Sequence, residues 1–148
     1  MPATSTHRRP ESVLVLVYTG GGDVLLLKRH QPFAFWQSVT GSLEPGEDHR
    51  RAARRELTEE TGFTNEGELY FSGNKRIFEI DPRWRHRYGA DDIHNTEYEW
   101  RYRLASAEAI RIDRAEHAGY CWMPLANAVD AVWSWTNREA LQSLRIEL

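Results

Sequence analysis

In the stretch RRELTEETGF, three carboxylates fall close together at Glu56, Glu59 and Glu60, directly after Arg54 and Arg55. Such a group could hold a hard divalent cation, which takes oxygen ligands. It could also take a proton from an attacking water. The alternative is a solvated charged face, where most Arg and Glu residues sit. On a helix turning about 100° per residue, all three carboxylates fall inside an arc of about 100°. Ala53 and Leu57 border that arc and would carry the helix onto a sheet, so the acids flank the buried stripe. Like charges at i, i+4 repel by roughly 0.2–0.5 kcal/mol in water, and partial burial raises that cost. Arg55 can pair with Glu59 four residues on, whereas Arg54 meets Thr58 there and Glu56 looks back on Ala52 and Ala53. Pairing therefore neutralises part of the cluster. From the helix alone, a metal site and a solvated face both stay open.

The flanks bear on that choice. Residues 47–61 are rich in Ala, Leu, Arg and Glu with no internal Gly or Pro, which predicts a helix. Gly62 stops it as a C′ glycine does. Pro45 and Gly46 in GSLEPGE force a turn before it. Glu47 would stand at the helix start, where the dipole favours a carboxylate. Gly41 would let the backbone approach the acidic face closely.

Other elements frame this helix. Residues 1–11 read as a polar tail, the first eight as flexible. SVLVLVY (12–18) is a continuous β-branched run, as in a strand buried on both faces. TGGGD and VLLLKR then complete a hairpin over 12–29. FWQSVTG (35–41) is a short apolar segment, and residues 68–80 suggest one or two strands. Residues 81–97 read as a long irregular loop. In YEWRYRLA, Tyr98, Trp100, Tyr102 and Leu104 alternate with Glu99, Arg101 and Arg103, a strand that could lie inside the sheet or at an interface between copies. Residues 119–123 read as a strand. Pro124 opens a helix to about Val132, and Asn137 would cap another to about Leu144. The order predicts a mixed sheet sandwiched by helices.

With 148 residues the chain fits one domain spanning 1–148. A net charge of −3 is not the footprint of a nucleic-acid binder. No apolar run of membrane length occurs, and the N-terminus lacks the apolar segment of a secretory signal. The single cysteine, Cys121, excludes an internal disulfide and a cysteine metal cluster. Flanked by Tyr120, Trp122 and Met123, it reads as a small buried hydrophobe. A reducing, cytoplasmic setting is the expectation.

Gly41, Glu47 and the run Arg55-Glu56-Leu57-Thr58-Glu59-Glu60-Thr61-Gly62-Phe63 fill every fixed position of G-x5-E-x7-R-E-U-x-E-E-x-G-U. The chain thus resembles the Nudix hydrolase family. That resemblance implies an α/β/α sandwich around a mixed sheet and hydrolysis of a group linked to a diphosphate. It implies Mg2+, with Mn2+ as a substitute, held mainly by Glu56 and Glu60 with Glu59 assisting. Arg55 would orient a glutamate, and Glu47 would support the loop and an outer metal. Glu116, before the strand at 119–123, is the candidate general base and a further metal ligand; its alternative is an ordinary loop acid.

Short matches extend the resemblance over residues 8–140: RP at 9–10, LKR at 27–29, FWQSVTG, FEI at 78–80, RHRY at 85–88, NTE at 95–97, EH at 116–117 and WSWTNREA at 133–140. They resemble the branch that removes pyrophosphate from 7,8-dihydroneopterin triphosphate in folate synthesis. By that resemblance Arg8 or Arg9 reaches the triphosphate, and Phe78, Glu79, Ile80 and Asp81 face the pterin or sugar. Arg29, ending a strand beside Thr40 and Gly41, could contact a phosphate or be a surface arginine. Thr40 could offer a hydroxyl or be a turn residue. Ser134 could bond the ligand or cap the next helix. Arg83, Arg85, His86 and Arg87 could attract a polyphosphate or form a solvated loop, and Trp36 or Trp84 could stack on a flat ring. The box alone also admits a general pyrophosphatase of nucleotides or dinucleoside polyphosphates, or a non-catalytic binding module.

Overall fold

β1 (Glu11–Thr19) is buried at every position after its first. A strand can be that apolar only if both faces are covered, and the rest of the fold supplies the covers. The computed structural model describes residues 7–146. After β1 come β2 (Asp23–Arg29), β3 (Phe35–Gln37), β4 (Val39–Ser42), α1 (His49–Thr61) and β5 (Glu68–Glu79). A short 3-10 helix (Arg85–Arg87), β6 (His94–Leu104), β7 (His117–Pro124), α2 (Leu125–Ala131) and α3 (Trp135–Ser143) complete the order. The strands form one seven-stranded sheet in the order β3-β2-β1-β6-β5, with β4 paired to β1 and β7 to β2.

β1 and β6 run parallel from Glu11↔Thr96 to Thr19↔Leu104, and the other pairs are antiparallel. On one face Val13, Val15 and Val17 pack with Ala52, Ala53 and Leu57 of α1. On the other Leu14, Leu16 and Tyr18 pack with Ala128, Val132 and Leu141 of α2, α3 and their junction. This is the expected α/β/α sandwich on a mixed sheet.

Several boundaries differ from the sequence reading. α1 starts at His49, because the Asp48 side chain accepts from the Arg51 backbone N–H and caps it. Glu47 therefore precedes the helix rather than sitting on its dipole. The irregular loop ends by residue 93, because β6 begins at His94, with Asn95 paired to β5 and Thr96 and Glu97 to β1. β6 lies between β1 and β5, so the alternating strand is internal. Residues 68–79 form one strand with an irregularity between Phe71 and Lys75. Ser134, not Asn137, caps α3, its hydroxyl accepting from the Asn137 N–H at 3.1 Å. Cys121 is half-buried. Of the expected tail, residues 1–6 lie outside the described residues. Arg8 is held by its backbone N–H, which donates to the Arg87 carbonyl at 2.7 Å.

Asn137 instead ties α3 to the sheet. Its Oδ1 accepts from the Ser38 N–H at 2.8 Å and its Nδ2 donates to the Ser38 hydroxyl at 2.9 Å. Asn137 is 1% exposed and Ser38 0%. Truncation strands buried polar groups, which costs about 1–3 kcal/mol. Asn137→Ala is expected to lower the unfolding free energy by that amount in urea denaturation; a loss below about 0.5 kcal/mol would contradict this role.

Candidate active site

Gly41 is where α1 meets the sheet. Thr40 and Ser42 face one side of β4, so Gly41 faces the other, toward α1. A Cβ there would lie 2.1 Å from the Glu56 carboxyl carbon. Only glycine leaves that carboxylate its place. Arg55 fixes it from the side: Nη1 donates to Glu56 at 2.7 Å and approaches Glu59 at 3.3 Å. Nε and Nη2 donate to the two oxygens of Glu47 at 2.9 and 2.8 Å, and Nη2 also reaches the Ser42 carbonyl at 3.1 Å. This clamp holds the Glu47 carboxyl below its ordinary value and raises Arg55 above its own. Arg54 donates to the Thr64 carbonyl at 2.6 Å. Arg9 closes the turn, donating to the carbonyls of Glu44 and Glu47, both at 2.9 Å.

Glu60 is in a different situation. It is 2% exposed, and neither carboxyl oxygen makes a well-formed hydrogen bond, with the Thr40 N–H and the Glu56 carboxyl as its nearby polar groups. Burial first, then the nearby Glu56 and Glu116, push its pKa well above the carboxylate range. His117 Nε2 approaches to 3.7 Å, beyond hydrogen-bond range. Burial and then the Arg29 charge depress that imidazole to about 4, so it is neutral and is no counter-ion. Glu59 is half-exposed, and burial and Glu56 raise it. Among the described residues no three acids or imidazoles converge into a ready-made cage. An orphaned buried carboxyl beside a second one, under a glycine window, nonetheless fits a hard divalent cation. Glu56 and Glu60 could hold it, with Glu59 turning in from Arg55. Glu116 is exposed in the turn before β7, and its charge is felt at Glu60.

Beside Gly41 opens a cavity of about 690 Å³. Arg8, Arg29, Thr40, Phe78, Glu79, Ile80, Asp81 and Ser134 all line it. Their chemistry differs from the expectation in places. The Thr40 hydroxyl already donates to the Val13 carbonyl at 2.8 Å, so it has no hydrogen left for a phosphate. Arg9 does not line the cavity; it serves the turn. Arg83 pairs with Asp81 and lies over the rings of Phe33 and Trp133, leaving Arg87 as the arginine of that loop on the cavity wall. Trp84 also lines the wall, edge-on to Phe35 with centroids 6.2 Å apart. Trp36 lies instead under Lys28 and beside Val132.

The sequence reading missed Asn95, Glu97 and Trp133, all on the cavity. The alternation that placed Tyr98 and Trp100 on one face also runs back through Thr96, which puts Asn95 and Glu97 on the other. The loop assignment hid that signal. Glu97 is 6% exposed. Burial first raises its pKa to about 7, against the Thr136 hydroxyl and the Arg76 charge, which favour the ionised form.

A NUDIX domain model matches residues 8–144. The chain is 38% identical over 144 residues to the dihydroneopterin triphosphate diphosphatase of Escherichia coli (strain K12), covering 95% of each. It is 34% identical to the enzyme of that name from Haemophilus influenzae, covering 96% of this chain and 91% of the relative. Among solved structures, the E. coli dihydroneopterin triphosphate pyrophosphohydrolase matches with a TM-score of 0.89 and 34% identity, over 97% of this chain and 100% of that one.

Two outcomes test the geometry. Gly41→Ala displaces only the end of a flexible side chain, so the melting temperature should change little while Mn2+ affinity in titration calorimetry falls about tenfold or more; unchanged affinity would remove Gly41 from the site. The second concerns Glu97. Its folded pKa of about 7 lies above the reference 4.5, so its contribution to stability is full below the lower value and lost as pH rises through the upper. At about 1.4 kcal/mol per unit the loss is at most roughly 3 kcal/mol. Glu97→Gln should flatten the fall in unfolding free energy between those pH values; parallel wild-type and variant curves would contradict it.

Proposed function

The chain belongs to the Nudix family, and from that membership we propose that it is a Mg2+-dependent hydrolase of 7,8-dihydroneopterin triphosphate. The products would be the monophosphate and pyrophosphate. One observation carries the reading: Glu56, with the buried acid Glu60 beside it, packs against Gly41, and Gly41 lines a cavity that is basic at one side and aromatic at another. The near full-length likeness to two curated enzymes of that name supports the substrate.

On this reading the triphosphate lies along Arg8, Arg29 and Arg87, and the flat ring lies against Trp84 and Trp133. Phe78, Glu79, Ile80 and Asp81 border the ring and its side chain, and Ser134 closes the far edge. When bound at Glu56 and Glu60, a divalent cation supplies the positive charge that the phosphoryl oxygens need and acidifies the attacking water. The chain's own work is positioning. Arg55 holds Glu56 in line, Glu47 holds Arg55, and Gly41 admits both substrate and carboxylate to one spot. Glu116 takes the proton as water oxygen bonds to phosphorus and the anhydride oxygen departs with pyrophosphate. The small triphosphate is the only partner this scheme requires, and a reducing cytoplasmic setting suits the lone thiol.

A panel of dihydroneopterin triphosphate, dATP, GTP and diadenosine polyphosphates with Mg2+, scored for pyrophosphate against orthophosphate, checks this. Preferred release of pyrophosphate from the pterin substrate is expected; equal or better turnover of ordinary nucleotides would replace the pterin reading with a general pyrophosphatase. Glu56→Gln should lower kcat by roughly 10²-fold or more, as when a group stabilising transition-state charge is lost, with the fold intact by circular dichroism. Surviving activity would unseat the metal assignment.

A further inference from the structure

The cavity wall carries two acceptors with nothing to accept. Asn95 and Glu97 stand two residues apart on β6, so their side chains leave the same face roughly 6.6 Å apart along the strand. Both line the cavity, at 1% and 6% exposure. Asn95 Nδ2 donates to the Ser12 hydroxyl at 2.7 Å, but its Oδ1 has no partner, and neither does Glu97 Oε1. Buried polar atoms are seldom left this way. Arg76, whose charge reaches Glu97, gives its hydrogen bonds to Glu99 at 2.6 Å and Glu139 at 3.1 Å. The unmet need is for two adjacent N–H donors that arrive with a ligand.

The surroundings say what kind of ligand. Trp84 and Trp133 pack at 5.5 Å between centroids and offer flat apolar surface. Ser12 is the β-partner of both Ser42 and Glu97. Glu97 thus lies two strand spacings, roughly 9.5 Å, from Ser42 and the adjacent Gly41. That is the span of a short polyol or a sugar between a ring and its phosphates.

We propose that Glu97 and Asn95 form an edge-reading site, accepting the ring N–H and the exocyclic amine of a 2-amino-4-oxo heterocycle. Pterin and guanine share that donor pair. Adenine presents a ring nitrogen lone pair beside its amine, which would face Glu97 without a hydrogen bond once that carboxyl is ionised. A site built for a donor rejects a ligand that lacks it far more strongly than an apolar wall can. The inference deepens the proposed function and rests on it for the pterin source; the donor pair itself is read from the two orphaned acceptors.

The experiment measures kcat/KM for dihydroneopterin triphosphate, GTP and ATP with wild type, Glu97→Gln and Asn95→Ala. It also measures calorimetric binding of dihydroneopterin, GMP and AMP to each protein. Within one preparation the ratio of 2-amino-4-oxo substrate to ATP is insensitive to partial misfolding. Glu97→Gln, which turns one acceptor into a donor, should lower that ratio about tenfold or more, mainly through KM. Asn95→Ala should lower it in the same direction. Pterin hydrolysis with selectivity unchanged in both variants overturns the edge-reading site and leaves the proposed function standing. Collapse of GTP selectivity with no pterin hydrolysis keeps the site, assigns guanine as its source and overturns the proposed function. A wild type that shows no preference over adenine in either assay overturns the site.

Discussion

A single guanidinium joins the pieces that make the acidic site. Arg55 has five N–H donors in a rigid planar fork. It spends them on both oxygens of Glu47 in the entry loop, on Glu56 one residue on, on Glu59 one turn on and on the Ser42 carbonyl of β4. Loop, helix and strand are locked to one planar group. A lysine carries one point charge and could not span those directions. Arg9 secures the same turn from the N-terminal side through the Glu44 and Glu47 carbonyls. Without the clamp, three like charges on one helical arc would have no reason to stay beside a glycine of the sheet.

The clamp also decides which acid is left over. Arg55 satisfies Glu47 fully and Glu56 in part, but it does not reach Glu60. That side chain is buried between α1 and the sheet with a neutral imidazole nearby. Glu97 keeps one oxygen without a partner, and its setting differs. Around Glu60, burial first and then other carboxyls push its proton affinity up, a setting that suits a cation. Around Glu97, burial and the Glu99 carboxylate raise its proton affinity, while the Thr136 hydroxyl and the Arg76 charge oppose them. One buried acid on α1 and one on β6 thus differ in chemistry because they differ in company.

The acidic helix was legible before any folding. Periodicity put Ala53 and Leu57 beside the glutamates, and both are fully buried in α1. Fixed spacing from Gly41 through Glu47 to Gly62 named the motif, since turn, clamp and stop are local devices written in consecutive residues. β1 was equally legible, because a strand covered on both faces must be apolar throughout. The cap of α3 was misread, because Ser134 and Asn137 are both good caps and only the buried pairing with Ser38, far away in sequence, draws Asn137 inward.

By itself the sequence determined the sandwich, the metal-suited helix and the family, because these depend on periodicity and short-range spacing. Tertiary structure decided which charges remain uncompensated, since that depends on what lies across the sheet. Glu59 and Glu60 are adjacent and chemically alike, yet one is half-exposed and the other sealed. Glu97 and Glu99 alternate with aromatics like an ordinary solvent face. Parallel pairing of β6 with β1, under α3, turns that face inward and makes its acids part of a cavity wall and a buried arginine network. Burial and the company of other charges, not residue type, give each carboxyl its chemistry.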